Sequence, residues 1–332
     1  MFLLTTYGTQ AMTSVPVLAD AVSLPATIAP DLAAAVSYAK AEKAPATRRA
    51  YETDFRLFRT YCEEKAASSL PALPETVAAY LAHGVQEGAK ASTLGRRLAA
   101  IRYAHKLASL PTPTDSEAVK ATLRGIRRTI GAAKVKKAPA VASRIKAMVA
   151  ACPSTIAGKR DRALLLLGFG GAFRRSELVA LDVEHIEETS EGLLILIAKS
   201  KTDQDAEGVT IAVARGSAET CPVVALRDWL DAAGIDAGPV FRPINKAGVV
   251  SAERLTDQSV ALIVKAYARR VGLDAGVFSG HSLRRGFLTS SAAAGKSIFR
   301  MKDVSRHKSV DTLAGYIQEA ELFKEHAGAG LL

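Results

Sequence analysis

Apolar side chains recur at helical spacing through the first well-patterned stretch of the chain. From Thr47 onward, Tyr51, Phe55, Phe58 and Cys62 form one stripe. Pro74 suits the first turn of a second helix, in which Val77, Tyr80, Leu81 and Gly84 share a face. Ser92 reads as the cap of a third helix, which groups Leu94, Leu98, Ile101 and His105, and a fourth carries Val119, Leu123, Ile126 and Ile130. Four short amphipathic helices with short loops predict a compact helical bundle over residues 45–135.

Before the bundle, residues 1–44 hold Pro16, Pro25 and Pro30 among many Ala, Ser and Thr, and read as a poorly ordered extension with a short helix at 31–41. After it, a lysine-rich run ending in Pro139 reads as a linker over 136–140, and a second domain spans 141–332. There 156–169 reads as a buried helix whose Leu164–Leu167 run is apolar all round. The period then shortens: 183–188, 193–197 and 209–213 read as three strands, with turn signals at 190–192 and 203–208. Helices resume at 222–233, 256–271, 281–294 and from 312 onward. The expected fold is mainly α, a four-helix domain followed by a mostly helical domain with one small antiparallel sheet.

Charge changes this picture from shape to partner. The chain of 332 residues holds 44 Lys and Arg against 33 Asp and Glu, and the excess is concentrated in the bundle. Residues 51–140 carry 15 basic and 8 acidic side chains, whereas 141–332 carry 25 and 22. Arg96, Arg97, Arg102 and Lys106 decorate the third helix. Lys120, Arg124, Arg127, Arg128, Lys134, Lys136 and Lys137 follow with no acid between Ala118 and Lys137. Such a run is suited to phosphate contacts on double-stranded DNA, whose strength comes from counterion release. The expected DNA-contacting set is Arg96, Arg97, Lys120, Arg124, Arg127, Arg128, Lys134, Lys136 and Lys137. Cys62, Cys152 and Cys221 are too few and too scattered for a disulfide framework or metal cluster. No apolar run is long enough for a membrane span, and the residues before Lys40 lack the positive start of a secretory signal. A cytoplasmic location, with no membrane partner, is expected.

The second domain supplies chemistry in a fixed order. Phe173-Arg174-Arg175-Ser176-Glu177-Leu178 comes first, then Lys199-Ser200-Lys201-Thr202, then Gly280-His281-Ser282-Leu283-Arg284, and finally His307 with Tyr316 nine residues later. Cutting a phosphodiester with a hydroxyl requires an in-line nucleophile, a destination for its proton, charge stabilisation on the equatorial oxygens and an acid for the leaving oxygen. Guanidinium groups can stabilise that charge without a metal, since they are always charged and donate in a fork.

In these boxes the chain resembles the tyrosine recombinase family, the phage integrases with their Cre-like and Xer-like relatives. The resemblance implies a SAM-like core-binding domain before the catalytic domain. It also implies site-specific recombination through a 3′-phosphotyrosyl intermediate, without metal, ATP or other cofactor, by a tetramer on paired DNA sites. Arg174 is the implied first arginine, on a helix with Glu177 as its supporting carboxylate; Arg175 competes, but the Arg-x-Ser-Glu-Leu register selects Arg174. His281 and Arg284 stand one helical turn apart, Arg284 as second clamp and His281 as proton acceptor or phosphate ligand. Lys201 is the implied general acid, with Lys199 the runner-up. His307 is the implied phosphate donor and Tyr316 the nucleophile. Arg306 stands where the family usually has glycine, so the turn there is expected to differ unless glycine was never required.

Three other readings compete. A type IB topoisomerase would use the same chemistry to relax one duplex, and a non-catalytic DNA-binding protein would show a broken constellation. A metal-dependent nuclease needs a cluster of acidic ligands that the sequence lacks. The tail at 319–332, with Leu322, Phe323, Leu331 and Leu332, is expected either to dock on a neighbouring protomer or to pack on its own domain. Residues 1–44 are too poor in positive charge to form an additional DNA-binding domain.

Overall fold

A computed structural model describes residues 42–131, 137–197 and 208–320, with isolated positions between 27 and 38. The short helix expected at 31–41 falls mostly outside the described residues, and the tail beyond 320 wholly so. The chain divides into two compact units between Lys134 and Val135.

The first unit holds α1 (Pro45–Glu64), α2 (Pro74–Gln86), α3 (Ala91–Leu107) and α4 (Glu117–Ile130). Proline opens α1 and α2, where its missing N–H has no intrahelical partner to lose. The stripes meet: Phe55, Phe58 and Cys62 of α1, Val77, Tyr80 and Leu81 of α2, and Leu94 and Ile101 of α3 are buried together. Tyr80 receives Phe58 at 5.0 Å and Tyr61 at 5.1 Å between ring centroids. Gly84 marks a close approach of α2 to α3, since a Cβ there would stand 2.6 Å from a Leu94 methyl. His105 is fully buried yet satisfied: the Ala72 N–H donates to Nε2 at 2.9 Å, and Nδ1 donates to the Ile101 carbonyl at 2.8 Å. Burial pulls its pKa down, so the ring is neutral with its proton on Nδ1.

Two details of the bundle differ from expectation. Lys90 occupies the cap of α3, so Ser92 lies inside the first turn and caps nothing. Ile130, in the last turn of α4, is 42% exposed; apolar packing on that helix ends with the half-buried Ile126.

The second unit begins with α5 (Ala142–Ala150), α6 (Ile156–Gly170) and the short α7 (Arg175–Val179). The strands β1 (Ile186–Glu188), β2 (Gly192–Ile197) and β3 (Val209–Ala214) follow, then α8 (Pro222–Ala233), α9 (Asp257–Arg270), α10 (His281–Ala293), α11 (Ile298–Ser305) and α12 (Val310–Ala320). The Leu164–Leu167 run of α6 is buried on every side, and Trp229 of α8 is buried with its indole N–H donating to Val240 O at 2.8 Å. The strands pair antiparallel in the order β1-β2-β3, with Ile186 opposite Ile195 and Leu193 opposite Val213. Leu193, Ile195, Ile197, Ile211 and Val213 face the core, whereas Leu194 and Leu196 are exposed, as a period of two requires. The first strand is shorter than 183–188, because Val183–His185 coils into a 3-10 turn and pairing starts at Ile186.

The described part of the expected linker, 137–140, is docked on the second unit. Ala138 and Ala140 donate to Val277 O at 2.8 Å and Ser282 O at 2.9 Å. Small side chains allow this: Ala140 is fully buried, and a Cβ on Gly286 of α10 would stand 1.9 Å from the Ala140 carbonyl oxygen. A second, smaller core joins α10, α11 and α12 through Leu288, Ala292, Met301 and Leu313. Tyr316 and Ile317 pack against it.

Candidate active site

The first box sits on the turn between α6 and α7. Gly171 ends α6, Ala172 takes a left-handed conformation (φ 46°), and Phe173 is buried. An alanine pays for that conformation, and the turn aims its carbonyl at α10. Arg174, expected on a helix, instead stands immediately before α7 at its cap. Glu177, a turn later, is 2% exposed and accepts the Arg174 N–H at 2.8 Å and Arg174 Nη1 at 2.5 Å. One carboxylate therefore caps the helix and aims the guanidinium.

Arg284 reaches this turn from α10. It is buried, and its Nη1 donates to Ala172 O at 2.7 Å while Nη2 lies 3.2 Å from His307 Nδ1. His281 and Arg284 share the start of α10, but His281 is exposed whereas Arg284 points inward. His281 is still close enough to His307 to disfavour a second positive charge there.

His307 follows α11. Burial first, then the charges of Arg284, Arg174 and Arg306, pull its pKa from 6.5 to about 4, so the ring is neutral near pH 7. Nδ1 lies 2.8 Å from the buried Ser305 hydroxyl. A guanidinium only donates, and Arg284 Nη2 lies 3.2 Å from Nδ1 and 3.4 Å from Nε2, so the neutral ring accepts from Arg284 and keeps one N–H to donate. Tyr316 is half-buried on α12, near enough to Arg284 for a phenolate to favour the guanidinium.

Arg306 joins these groups. Its Nη2 donates to Glu177 Oε2 at 2.8 Å, and its pKa is lowered by burial although Glu177 opposes this. Burial alone would raise the Glu177 carboxyl, but Arg306 and Arg174 together hold it below the usual range. Arg174, Arg284 and Arg306 against Glu177, with His307 neutral, leave two net positive charges in one buried cluster. An anion with two negative charges matches that count. Of the two alternatives at Arg306, the structure shows that glycine is not required: the turn keeps the left-handed shape that glycine favours, with Arg306 at φ 57°.

Among the sequence candidates, the structure brings Arg174, Glu177, Arg284, His307 and Tyr316 together, with His281 at the edge. Arg175 points elsewhere, 3.6 Å from Asp257. Lys201 and Lys199 lie outside the described residues, in the connection between the paired β2 and β3. Ser305 was missed, and its only signal was a small polar residue two places before a histidine.

The candidate DNA-contacting residues divide. Arg96 makes a two-pronged bond to the buried Asp54 of α1, at 2.7 and 3.0 Å. Arg97 lies over the Tyr80 ring, 5.8 Å from its centroid. Arg124 pairs with Glu117, so the α4 run has an acidic partner just before it and is not wholly uncompensated. Lys120, Arg127 and Arg128 are exposed on α4. Lys137 donates to Gly276 O at 2.7 Å in the second unit. Lys134 and Lys136 lie outside the described residues.

Comparison with known proteins shows the family. Residues 141–322 match the phage integrase family, and residues 36–109 match the phage integrase N-terminal SAM-like domain. The integrase/recombinase xerD homolog of Selenomonas ruminantium is 39% identical over 290 residues, covering 86% of this chain and 85% of that protein. The recombinase cre of Escherichia phage P1 is 25% identical over 289 residues, covering 80% and 82%. In fold, the chain is similar to a lambda integrase dimer bound to a COC′ core site, with TM-score 0.58 at 16% identity, covering 87% of this chain and 93% of that one. It is also similar to XerH recombinase bound to a palindromic difH substrate, with TM-score 0.60 at 14% identity, covering 89% and 83%. No described helix is long and apolar enough to cross a membrane. With its ordered boxes, mainly helical fold and these matches, the chain belongs to the phage integrase family, the tyrosine recombinases, and is a site-specific recombinase.

Proposed function

We propose that the chain binds duplex DNA and cuts and rejoins it through Tyr316. The observation that carries this reading is the convergence of Arg174, Arg284 and neutral His307 beside a helix bearing a half-buried tyrosine. Arg174 and Arg284 grip the non-bridging oxygens of the scissile phosphate, and neutral His307 donates its ring N–H to the same group. The Tyr316 oxygen attacks phosphorus and the bond to the 5′ oxygen breaks. The phenolic proton passes to His281, and Lys201 protonates the leaving oxygen. Tyrosine is a poor nucleophile at its ordinary pKa near 10, and the adjacent guanidiniums favour its phenolate. The product is a 3′-phosphotyrosyl bond, whose energy a second 5′ hydroxyl recovers by reversing the step, so no ATP is consumed.

Solved relatives of this fold are DNA complexes, which supports the same partner here. Lys120, Arg127 and Arg128 supply backbone contacts from the bundle, and four protomers on two sites complete strand exchange. The test is covalent capture in EDTA. Duplexes drawn from a random-sequence pool, each nicked so that the cleaved end diffuses away, are incubated with the protein and run on a denaturing gel. A protein–DNA adduct is expected with the wild-type chain and none with Tyr316→Phe. An adduct that persists in Tyr316→Phe, or vanishes with EDTA, overturns the mechanism. Relaxation of arbitrary plasmids without pairing of captured sites would make the chain a topoisomerase instead.

A further inference from the structure

We infer that Arg306 is a positioning residue of this active site: its guanidinium ties the segment bearing His307 and Tyr316 to the turn and carboxylate that aim Arg174. The inference rests on the proposed chemistry but adds a residue to it. Three observations carry it. The first is backbone geometry, since Arg306 sits at φ 57° and ψ 41°, a conformation that glycine adopts freely and an L side chain resists. A side chain kept at that cost is held by its surroundings.

The second is where the side chain goes. It is 6% exposed, and its Cζ lies 5.4 Å from the centroid of the Phe173 ring. Nη1 donates to Gly171 O at 3.2 Å and Val304 O at 2.5 Å, while Nη2 donates to Ala172 O at 3.2 Å and Glu177 Oε2 at 2.8 Å. All four terminal N–H groups are thereby engaged by protein. Only Nε lacks a partner, and it is buried. Arg306 has no fork left to offer a phosphate, so it does not act as a third clamp.

The third is what it touches. Glu177 is shared, one oxygen to Arg174 Nη1 and the other to Arg306 and the Arg174 N–H. The Arg306 carbonyl in turn lies 3.4 Å from Arg174 Nη2. The Ala172 carbonyl likewise receives both Arg284 and Arg306. Moving Arg306 therefore moves the aim of both arginine clamps relative to the tyrosine helix, and a misplacement on that scale slows chemistry without weakening DNA binding.

The test compares wild type, Arg306→Gly and Arg306→Lys in single-turnover adduct formation on a captured nicked duplex, with duplex affinity measured alongside. Arg306→Gly meets the backbone requirement at no strain and removes only the strut. Its rate should fall on the order of 10²-fold with affinity unchanged, and guanidinium chloride far below denaturing concentration should restore part of the rate. Arg306→Lys, with charge but no fork, should be intermediate. An undiminished rate in Arg306→Gly overturns the inference. So does a loss of rate and affinity together that guanidinium does not relieve, since that is a packing defect alone. If wild type forms no adduct, the proposed chemistry fails while the strut stays testable without DNA. Hydrogen exchange over Val310–Ala320 should then rise in Arg306→Gly and recover with guanidinium, and unchanged exchange overturns the strut.

Discussion

Replacing His307 with glutamine should flatten the acid side of the stability profile. The imidazole titrates near 6.5 in the unfolded chain, but burial and three neighbouring guanidiniums bring it to about 4 in the folded one. Between those values the unfolded chain holds a proton that the folded chain refuses. Stability therefore falls as pH drops through this window, and the group contributes no further change below it. At about 1.4 kcal/mol for each pH unit, the interval sets a ceiling of roughly 3 kcal/mol. His307 is only partly buried, and solvent screening reduces this to about 1–2 kcal/mol. Glutamine retains donors and acceptors for Ser305 and Arg284 but does not titrate. Urea unfolding of both proteins, from about pH 7 to about pH 4.5, isolates the effect, because carboxylates common to both cancel in the difference. The wild-type curve should drop more steeply by that amount, at equal m. Parallel curves would refute the claim that His307 is held neutral by the cluster.

Glu177→Gln should cost about 3–5 kcal/mol in chemical denaturation, since it leaves Arg174 and Arg306 buried without their shared counter-charge; a loss below ~1 kcal/mol would show that the carboxylate is dispensable. Gly286→Ala drives a Cβ into the Ala140 carbonyl and should destabilise by roughly 1–3 kcal/mol, whereas Gly315→Ala on α12 meets nothing and should be neutral or gain up to ~1 kcal/mol. Alanine at Lys120, Arg127 and Arg128 should lower the slope of log affinity against log salt by about 0.9 for each phosphate that is no longer neutralised; an unchanged slope removes α4 from the DNA interface. Arg96→Ala should cost about 1–3 kcal/mol of stability through the stranded Asp54 carboxylate, read by thermal unfolding without DNA.

The helical stripes were legible because each depends only on spacing along one element. Phe55, Phe58 and Cys62, or Val77, Tyr80 and Leu81, need no knowledge of their partners to be read as a buried face. α11 was not legible, being eight residues long with a mixed surface. The docking of 137–140 was not either, since it depends on Ala140 meeting Gly286 from a distant helix. The active-site boxes were readable by order, yet their geometry was not. Arg174 and Glu177 look like a pair on one helix face, and they are a cap and its carboxylate. Arg96 and Arg124 read as free charges for DNA, because Asp54 and Glu117 become their partners only once the chain has folded.

Arginine can stand in glycine's place at Arg306 for a quantitative reason. Local backbone energy says that arginine should not occupy glycine's place, at a cost of about 1–2 kcal/mol for a left-handed residue. Each hydrogen bond returns about 0.5–1.5 kcal/mol, and one to a charged partner about twice that. Four such bonds from one guanidinium, one of them to Glu177, outweigh the local cost. Ala172 obeys the same balance from the other side, its left-handed carbonyl held by Arg284 and Arg306. The two unfavourable conformations face one another and are satisfied by the same guanidinium, so neither is explained by its own sequence neighbours. A rule drawn from single residues misses a site where two strained turns sustain each other.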